Sequence, residues 1–381
     1  MTAFGPRPRF EVFESIEDVD RDLWDSLVGP DDLQASHAFV GAVEKSRVEE
    51  AELRHVVGFD GDRPICHATF SKLVVALDVL AGSRLRGAAD ALRKLSPGFL
   101  KLPILFCGLP VSFGQSSLRF APDAPRERCL AGMLDVFDEL ERSMGSVVQC
   151  FKEFDDREAD RLGALDERGF LRARSLAGHE IANRWASFDD YLAAMRSGYR
   201  RQVKADLRAA REHGLDIEWG AIGTEDRDHL HGLYLEVMAR AEHRLEVLPS
   251  TFLVNLEDGL GDAVECLRVR CEGRTVAMAI TLRGPETYTF LLAGLDYRYL
   301  RDHRAYGVLV TEVMRRGIDT EARFIVLGQT SGELKCRLGA RETKRWIWVR
   351  GTKPLADRLI RRSADRLFPG TGTMMRFVFR P

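Results

Sequence analysis

A chain of 381 residues is long for one domain and suits two, each able to bury a substantial core. With 56 Lys and Arg against 58 Asp and Glu, the net charge of -2 argues against a dedicated nucleic-acid-binding protein while allowing local basic faces. Seven scattered cysteines without a C-x-x-C pair suggest neither a disulfide framework nor a zinc site, and they suit a reducing, cytoplasmic compartment.

The start, MTAFGPRPRFEVFE, has no apolar signal-type run. The longest apolar tract, residues 102–113, is short and interrupted by Pro103 and Pro110, so no membrane span is expected.

Residues 10–13 read as a strand and 19–27 as a helix with Leu23 and Trp24 on one face. His37, Phe39, Val40 and Val43 mark a second short helix. Residues 53–75 form a hairpin turning at Asp60-Gly61-Asp62-Arg63. The segment 77–102 reads as an inserted helix with loop ends, suited to a lid, an acyl-chain wall or plain surface elaboration. An apolar run ending at Gly108, a polar loop, a helix with Leu130, Met133, Leu134, Phe137 and Leu140, and a strand over 147–151 complete the first half.

Ser187-Phe-Asp-Asp190 reads as a helix start and Gly214 as a stop, which predicts one long helix between them. Tyr191, Met195, Tyr199, Val203 and Leu207 share one side of it. Arg196, Arg200, Arg201, Lys204, Arg208 and Arg211 crowd another, with only Asp206 and Glu212 as relief. Helices follow around 230–238 and 252–256; His229 and His231, two residues apart, diverge on the first, so no metal site is expected.

A second hairpin over 267–282 turns at Glu272-Gly273-Arg274. An apolar run through Phe290, Leu292 and Ala293 then ends at Gly294, an Arg- and Asp-rich loop covers 296–304, and a helix begins at Ala305 with Gly317 as its stop. Residues 324–327 form a strand closed by Gly328. This crossover offers helix N-terminal amides beside Arg301 and Arg304, a place for a phosphate or pyrophosphate, or else a solvated loop.

The two halves repeat this order: hairpin with glycine at the tip, strand ending in Gly, loop, helix, strand, and then a Gly step at Gly169 and Gly339. The division is expected at 1–185 and 186–381, with the first copy diverged; Leu165 replaces the Lys335 of the second copy.

Gly328-Gln329-Thr330-Ser331-Gly332-Glu333-Leu334-Lys335, followed by Arg337-Leu338-Gly339-Ala340, resembles the C-terminal signature of the Fem-like, BioF-like branch of the GNAT acyltransferase superfamily. Tyr199 to Arg208 resembles the arginine-rich helix that opens the second domain there. Leu338 stands where an aromatic is more usual. Arg304-Ala-Tyr-Gly307-Val-Leu309 is similar to the acetyl-CoA loop but lacks its last small residue.

The resemblance implies an α/β fold of tandem GNAT-like domains, each a mixed central sheet flanked by helices, with the active site in the second. It implies N-acyl transfer from a thioester donor, acyl-CoA or acyl-carrier protein, to a small-molecule or lipid-like amine. An aminoacyl-tRNA-dependent transferase and a non-catalytic tandem binding module are the alternatives. Lys335 is then the leading catalytic residue, as a cation over the carbonyl oxygen or a phosphate at the entrance to the last strand, with Glu333 and Tyr288 as base and acid. Arg301, Arg304, Gly307 and Gln329 would hold the donor, and Tyr199, Arg200, Lys204 and Arg208 the substrate. Cys336, next to Lys335, is expected in the core.

Overall fold

A computed structural model describes residues 8–76, 101–224, 226–241, 246–368 and 376–380. The first half runs β1 (Arg9–Phe13), α1 (Arg21–Asp25), α2 (His37–Lys45), β2 (Glu52–Asp60), β3 (Arg63–Ala76), β4 (Lys101–Cys107), β5 (Leu118–Phe120) and α3 (Arg126–Met144). It ends with β6 (Val148–Phe154), α4 (Asp156–Ala159), α5 (Gly163–Glu167), β7 (Leu171–Arg174) and β8 (Gly178–Ala182). The second runs α6 (Phe188–Ala194), α7 (Ser197–Glu212), β9 (Leu215–Gly220), α8 (Arg227–Arg240), α9 (Ser250–Leu260), β10 (Val264–Cys271) and β11 (Arg274–Arg283). Then come β12 (Thr287–Leu295), α10 (Ala305–Asp319), β13 (Phe324–Gly328), α11 (Gly332–Arg337), β14 (Arg341–Thr343), β15 (Trp346–Gly351) and α12 (Pro354–Leu367). The helix expected within 77–102 lies outside the described residues as far as 100; Lys101 and Leu102 already belong to β4.

The two sheets have the same plan. The first has the order β1-β2-β3-β4-β6-β15-β7, with β5 also paired to β3, and the second β9-β10-β11-β12-β13-β8-β14. Each hairpin turns where the glycine signal placed it, Gly61 and Gly273 having φ of 60° and 77°. In each sheet one neighbouring pair is parallel, β4 with β6 and β12 with β13, because a helix makes the crossover between its strands. A short helix followed by a glycine of positive φ closes both copies, α5 with Gly169 and α11 with Gly339.

The halves exchange a strand. β8, late in the first repeat, pairs with β13 and β14, while β15, from the far end of the chain, pairs with β6 and β7. A cut at 185/186 therefore does not separate the two sheets. Beyond the sheets the halves share an aromatic core in which Phe39 of α2 meets Phe113 at 6.1 Å and Phe252 of α9 at 6.4 Å between ring centroids.

Three local expectations are corrected. The helix across 187–214 is two helices: the fully buried Met195 is extended (φ -69°, ψ 145°) and bridges Phe379, while Arg196 N–H donates to Val378 O at 2.8 Å. Tertiary pairing with the C-terminal segment overrides helical spacing there. Gly317 lies inside α10, packed against Ile325 and Tyr288, and the helix ends at Asp319. Lys335 is in a helix, α11, and not at a strand entrance. Among the described residues, no helix is long and apolar enough to cross a membrane.

The exchange makes a prediction. Fragments 1–185 and 186–381, produced separately, each lack a strand that lies between two others in its sheet, so neither should show a cooperative thermal transition by circular dichroism. Producing the two together should restore it. A cooperative melt from either fragment alone would contradict the arrangement.

Candidate active site

The parallel pair β12/β13 is joined over only three residues, Thr287↔Phe324, Tyr288↔Ile325 and Thr289↔Val326. Beyond it β12 follows β11 and β13 follows β8, so the two strands splay apart from Phe290 and Leu327 onward. Gly328, with φ of 75°, ends β13; a Cβ added there would lie 3.5 Å from Phe290 O and 3.8 Å from Lys335 Nζ. Lys335 thus reaches back from α11 into the mouth of the splay, with Nζ 5.8 Å from the centroid of the Phe290 ring.

This lysine is 2% exposed. Burial brings its pKa down to about 7, and no carboxylate among the described residues offsets the loss of water. His179 stands near it, and Tyr306 bonds to the start of its helix. His179 of β8 donates from Nδ1 to Gly328 O at 3.1 Å, since a carbonyl only accepts, and its ring packs against Gly332. Burial, and then the nearby Lys335, lower the His179 pKa. Tyr306, in the first turn of α10, hydrogen-bonds Ser331, the residue of positive φ that opens α11, and burial raises its pKa.

The other expected residues separate. Gln329 lies at the splay and ties it to the first half: Nε2 donates to Leu176 O at 2.9 Å, and the side chain also bonds Glu153. Glu333 is exposed on α11 and paired with Arg337 and Arg376. Tyr288 is fully buried, bonded to Glu265 at 2.9 Å and to Thr281 at 2.9 Å, and burial holds it protonated. With Arg316 closing the network on Glu265, Tyr288 is a core hydroxyl and not a proton donor to the splay. Cys336 is buried, as expected.

On α7, Tyr199 packs half-buried on the second-half core, and the Arg200 guanidinium approaches the last carbonyls of α6, Leu192 O at 3.5 Å and Ala193 O at 3.4 Å. Arg201, Lys204, Arg208 and Arg211 are exposed along one stripe. Arg301 is exposed in the loop before α10.

Arg304 and Gly307 do meet, but around a carboxylate of the chain itself. Asp206 of α7, 5% exposed, pairs with Arg304 (Nε to Oδ1 2.5 Å), and a Cβ on Gly307 would fall 2.8 Å from its Cγ and Oδ1. Burial raises the Asp206 pKa and Arg304 partly offsets this. A donor pyrophosphate at the α10 N-terminus would meet this buried carboxylate, so the residues present do not fit that group.

The first copy has its own splay, where β4 and β6 part after Cys107↔Phe151. Lys152 fills it, its stem across Gly108 and Nζ donating to Val111 O at 2.9 Å and Ser112 Oγ at 3.0 Å. Beside it opens a cleft of about 510 Å³, lined by Arg119, Arg126, Arg157, Arg161, Arg345, the buried Glu153 and the half-buried Glu158, among others. Among the described residues no carboxylate pairs with Arg126, Arg157 or Arg161, whereas Arg119 holds Asp32 at 2.9 Å and Arg345 Nε donates to Gly114 O at 2.7 Å. Gln329 touches this cleft through Gly114 and Glu153, one residue from the splay of the second copy.

Residues 197–335 match the model of the acetyltransferase (GNAT) domain family, a match that starts with α7 and ends on Lys335. That stretch is similar to a GNAT domain. The chain's tandem GNAT fold is shared with FemX, at a TM-score of 0.56 and 12% identity, over 89% of this chain and 96% of that one. A tandem GNAT protein from the clavulanic acid biosynthesis pathway has a TM-score of 0.53 and 13% identity, over 91% and 99%. L-PGS from Bacillus licheniformis has 0.54 and 8%, over 92% and 96%. No curated protein matches the chain significantly. Among the described residues no cluster of His, Cys, Asp or Glu could hold a metal ion. His229 and His231 bond separate carbonyls, Thr275 O at 2.7 Å and Leu248 O at 2.9 Å.

The buried lysine in the GNAT domain makes stability depend on pH. Between about 7, its folded value, and 10.5, its ordinary one, the unfolded chain binds one more proton, so stability from this group rises with pH across that window. Lys335→Met should raise the melting temperature most at or below pH 7, and the gain should shrink towards pH 10.5. A gap of the same size at both ends would show that Lys335 titrates normally.

Proposed function

We propose that this protein is an N-acyltransferase that moves an acyl or aminoacyl group to an amine at the splay of the GNAT domain. The observation that carries the reading is Lys335, a buried amine at the point where β12 and β13 stop pairing with each other. The amine nitrogen attacks the acyl carbonyl carbon, the carbonyl oxygen gains negative charge, and the bond to the departing sulfur or oxygen breaks as the amine loses a proton. An ammonium at the splay stabilises the oxyanion chiefly in the transition state, where its charge has no competing water. His179, near it, and Tyr306, bonded to Ser331 at the start of α11, are the groups we assign to proton relay in place of Glu333 and Tyr288.

The arginine-lined cleft suits the acceptor. Its volume falls within the usual range for small-molecule sites, and Arg126, Arg157 and Arg161 favour an acceptor bearing a phosphate or carboxylate. The exposed stripe Arg201, Lys204, Arg208 and Arg211 suits a donor delivered on a polyanionic carrier, either an aminoacyl-tRNA or an acidic acyl-carrier protein.

Lys335→Ala should lower turnover about 10²- to 10³-fold with little change in apparent Michaelis constants. Lys335→Arg should rescue little, because a planar fork does not replace a compact ammonium in a closed site. If the ammonium is the active form, turnover should fall as pH rises through about 7, and that limb should vanish in the Ala variant. Normal turnover of the Ala variant would remove Lys335 from the mechanism.

Reversing charge at Arg201, Lys204 and Arg208 together should weaken donor binding and flatten its salt dependence. Running the assay with aminoacyl-tRNA and with acyl-carrier protein separates the two carriers. Unaltered use of both would dismiss the docking stripe.

A further inference from the structure

Asp206 lies on the inward side of α7, between Val203 and Ala210, in a row of otherwise apolar buried positions. A carboxylate is costly to bury unless something repays the loss of water. Here the Arg304 guanidinium does so from one side, and the first turn of α10 faces it from the other. Arg304 itself takes φ of 53° as the residue capping α10, a left-handed conformation uncommon outside glycine. Gly307 supplies the remaining condition. Any side chain there would overlap the Asp206 carboxylate, so the close approach of α7 to the helix start depends on this glycine.

The result is an anion packed against the first turn of α10 and paired with the arginine that caps it, close to where a phosphate at that helix start would seek the same positive charge. We propose that Asp206 is a specificity-determining residue. Its carboxylate takes the place of a donor pyrophosphate at the N-terminus of α10, excludes coenzyme-A-type donors from that place, and leaves the site to donors whose acyl group arrives without a pyrophosphate there. The consequence for the donor rests on the acyl-transfer reading above, whereas the test reads binding alone. Arg304 is committed to Asp206 in the folded protein, and a second anion beside a buried carboxylate is repelled. Removing the carboxylate frees the arginine and takes away the charge beside the first turn of α10.

The experiment is titration calorimetry of the full chain with coenzyme A and, separately, inorganic pyrophosphate, at neutral pH and low salt. The parent should not saturate at millimolar concentration of either. Asp206→Asn, which keeps the shape and removes the charge, and Asp206→Ala should each bind both ligands about tenfold or more tightly than the parent. Adding Arg304→Ala to either should abolish the gain. Thermal melts run alongside identify folded variants, and the Asn variant serves if the Ala variant does not fold. Saturable binding of coenzyme A by the parent that Asp206→Asn leaves unchanged would overturn the proposal. So would a folded Asn variant with no gain, or a gain that survives loss of Arg304. Acyl-transfer assays fail or succeed separately: an inactive parent with these binding gains intact would sink the enzymatic reading and leave the role of Asp206 standing.

Discussion

The reciprocal exchange of β8 and β15 is the constraint on which the rest of the structure depends. Each strand lies between two others, so its backbone donors and acceptors are used on both sides and the two sheets are completed by each other's chain. β15 is also held by its side chains. Trp348 is fully buried and donates from Nε1 to Asp166 at 3.0 Å, while the Arg350 fork binds Gln149 and Asp138. The segments on either side of the exchange run past the same place. Leu176, between β7 and β8, accepts from Gln329, and Arg345, just before β15, donates to Gly114. The second-copy splay and the first-copy cleft are therefore set against each other by the crossing chain, and not by a loose contact between two finished domains.

Much of this was legible in the sequence wherever a local signal carries a local consequence. Glycine-tipped hairpins, the strand-helix-strand crossover and the Gly169 and Gly339 steps gave the order of both copies, since turn chemistry and periodicity are properties of adjacent residues. The exchange was not legible. The segment WIWVRG reads as a strand whichever sheet it joins, because a strand's partners are absent from its own period. The broken helix at Met195 has the same cause, a pairing partner almost two hundred residues away in sequence.

Asp206 is a more instructive case. Counted as relief for a basic face, it in fact shares the buried row with Val203 and Ala210, at spacings of three and four, a pattern present in the sequence but masked by its charge. His179 and Tyr306 carried no such signal: one stands in a short strand and the other in a helix start, and only the fold brings the first near Lys335 and the second to Ser331. Lys335 stands out through its motif, but its depressed pKa follows from burial, which the motif does not state.

The two splays show why one fold repeated twice need not act twice. Both are filled by lysine, from unrelated positions: Lys152 comes from the strand itself and Lys335 from the helix after it. Lys152 is fixed by two oxygen acceptors, and loss of water raises the pKa values of the neighbouring Glu153, which is buried, and Glu246, which is half-buried, that of Glu246 to about 7. An ammonium already satisfied in this way gains little from a developing oxyanion. Lys335 instead faces an aromatic ring with its proton weakly held, so negative charge appearing in the splay would be its strongest partner and would draw its pKa back up. The same residue type is thus held by two oxygen acceptors in the first copy and faces an aromatic ring in the second, and on the proposed reading the difference lies in whether the protein, among the described residues, itself supplies the acceptor.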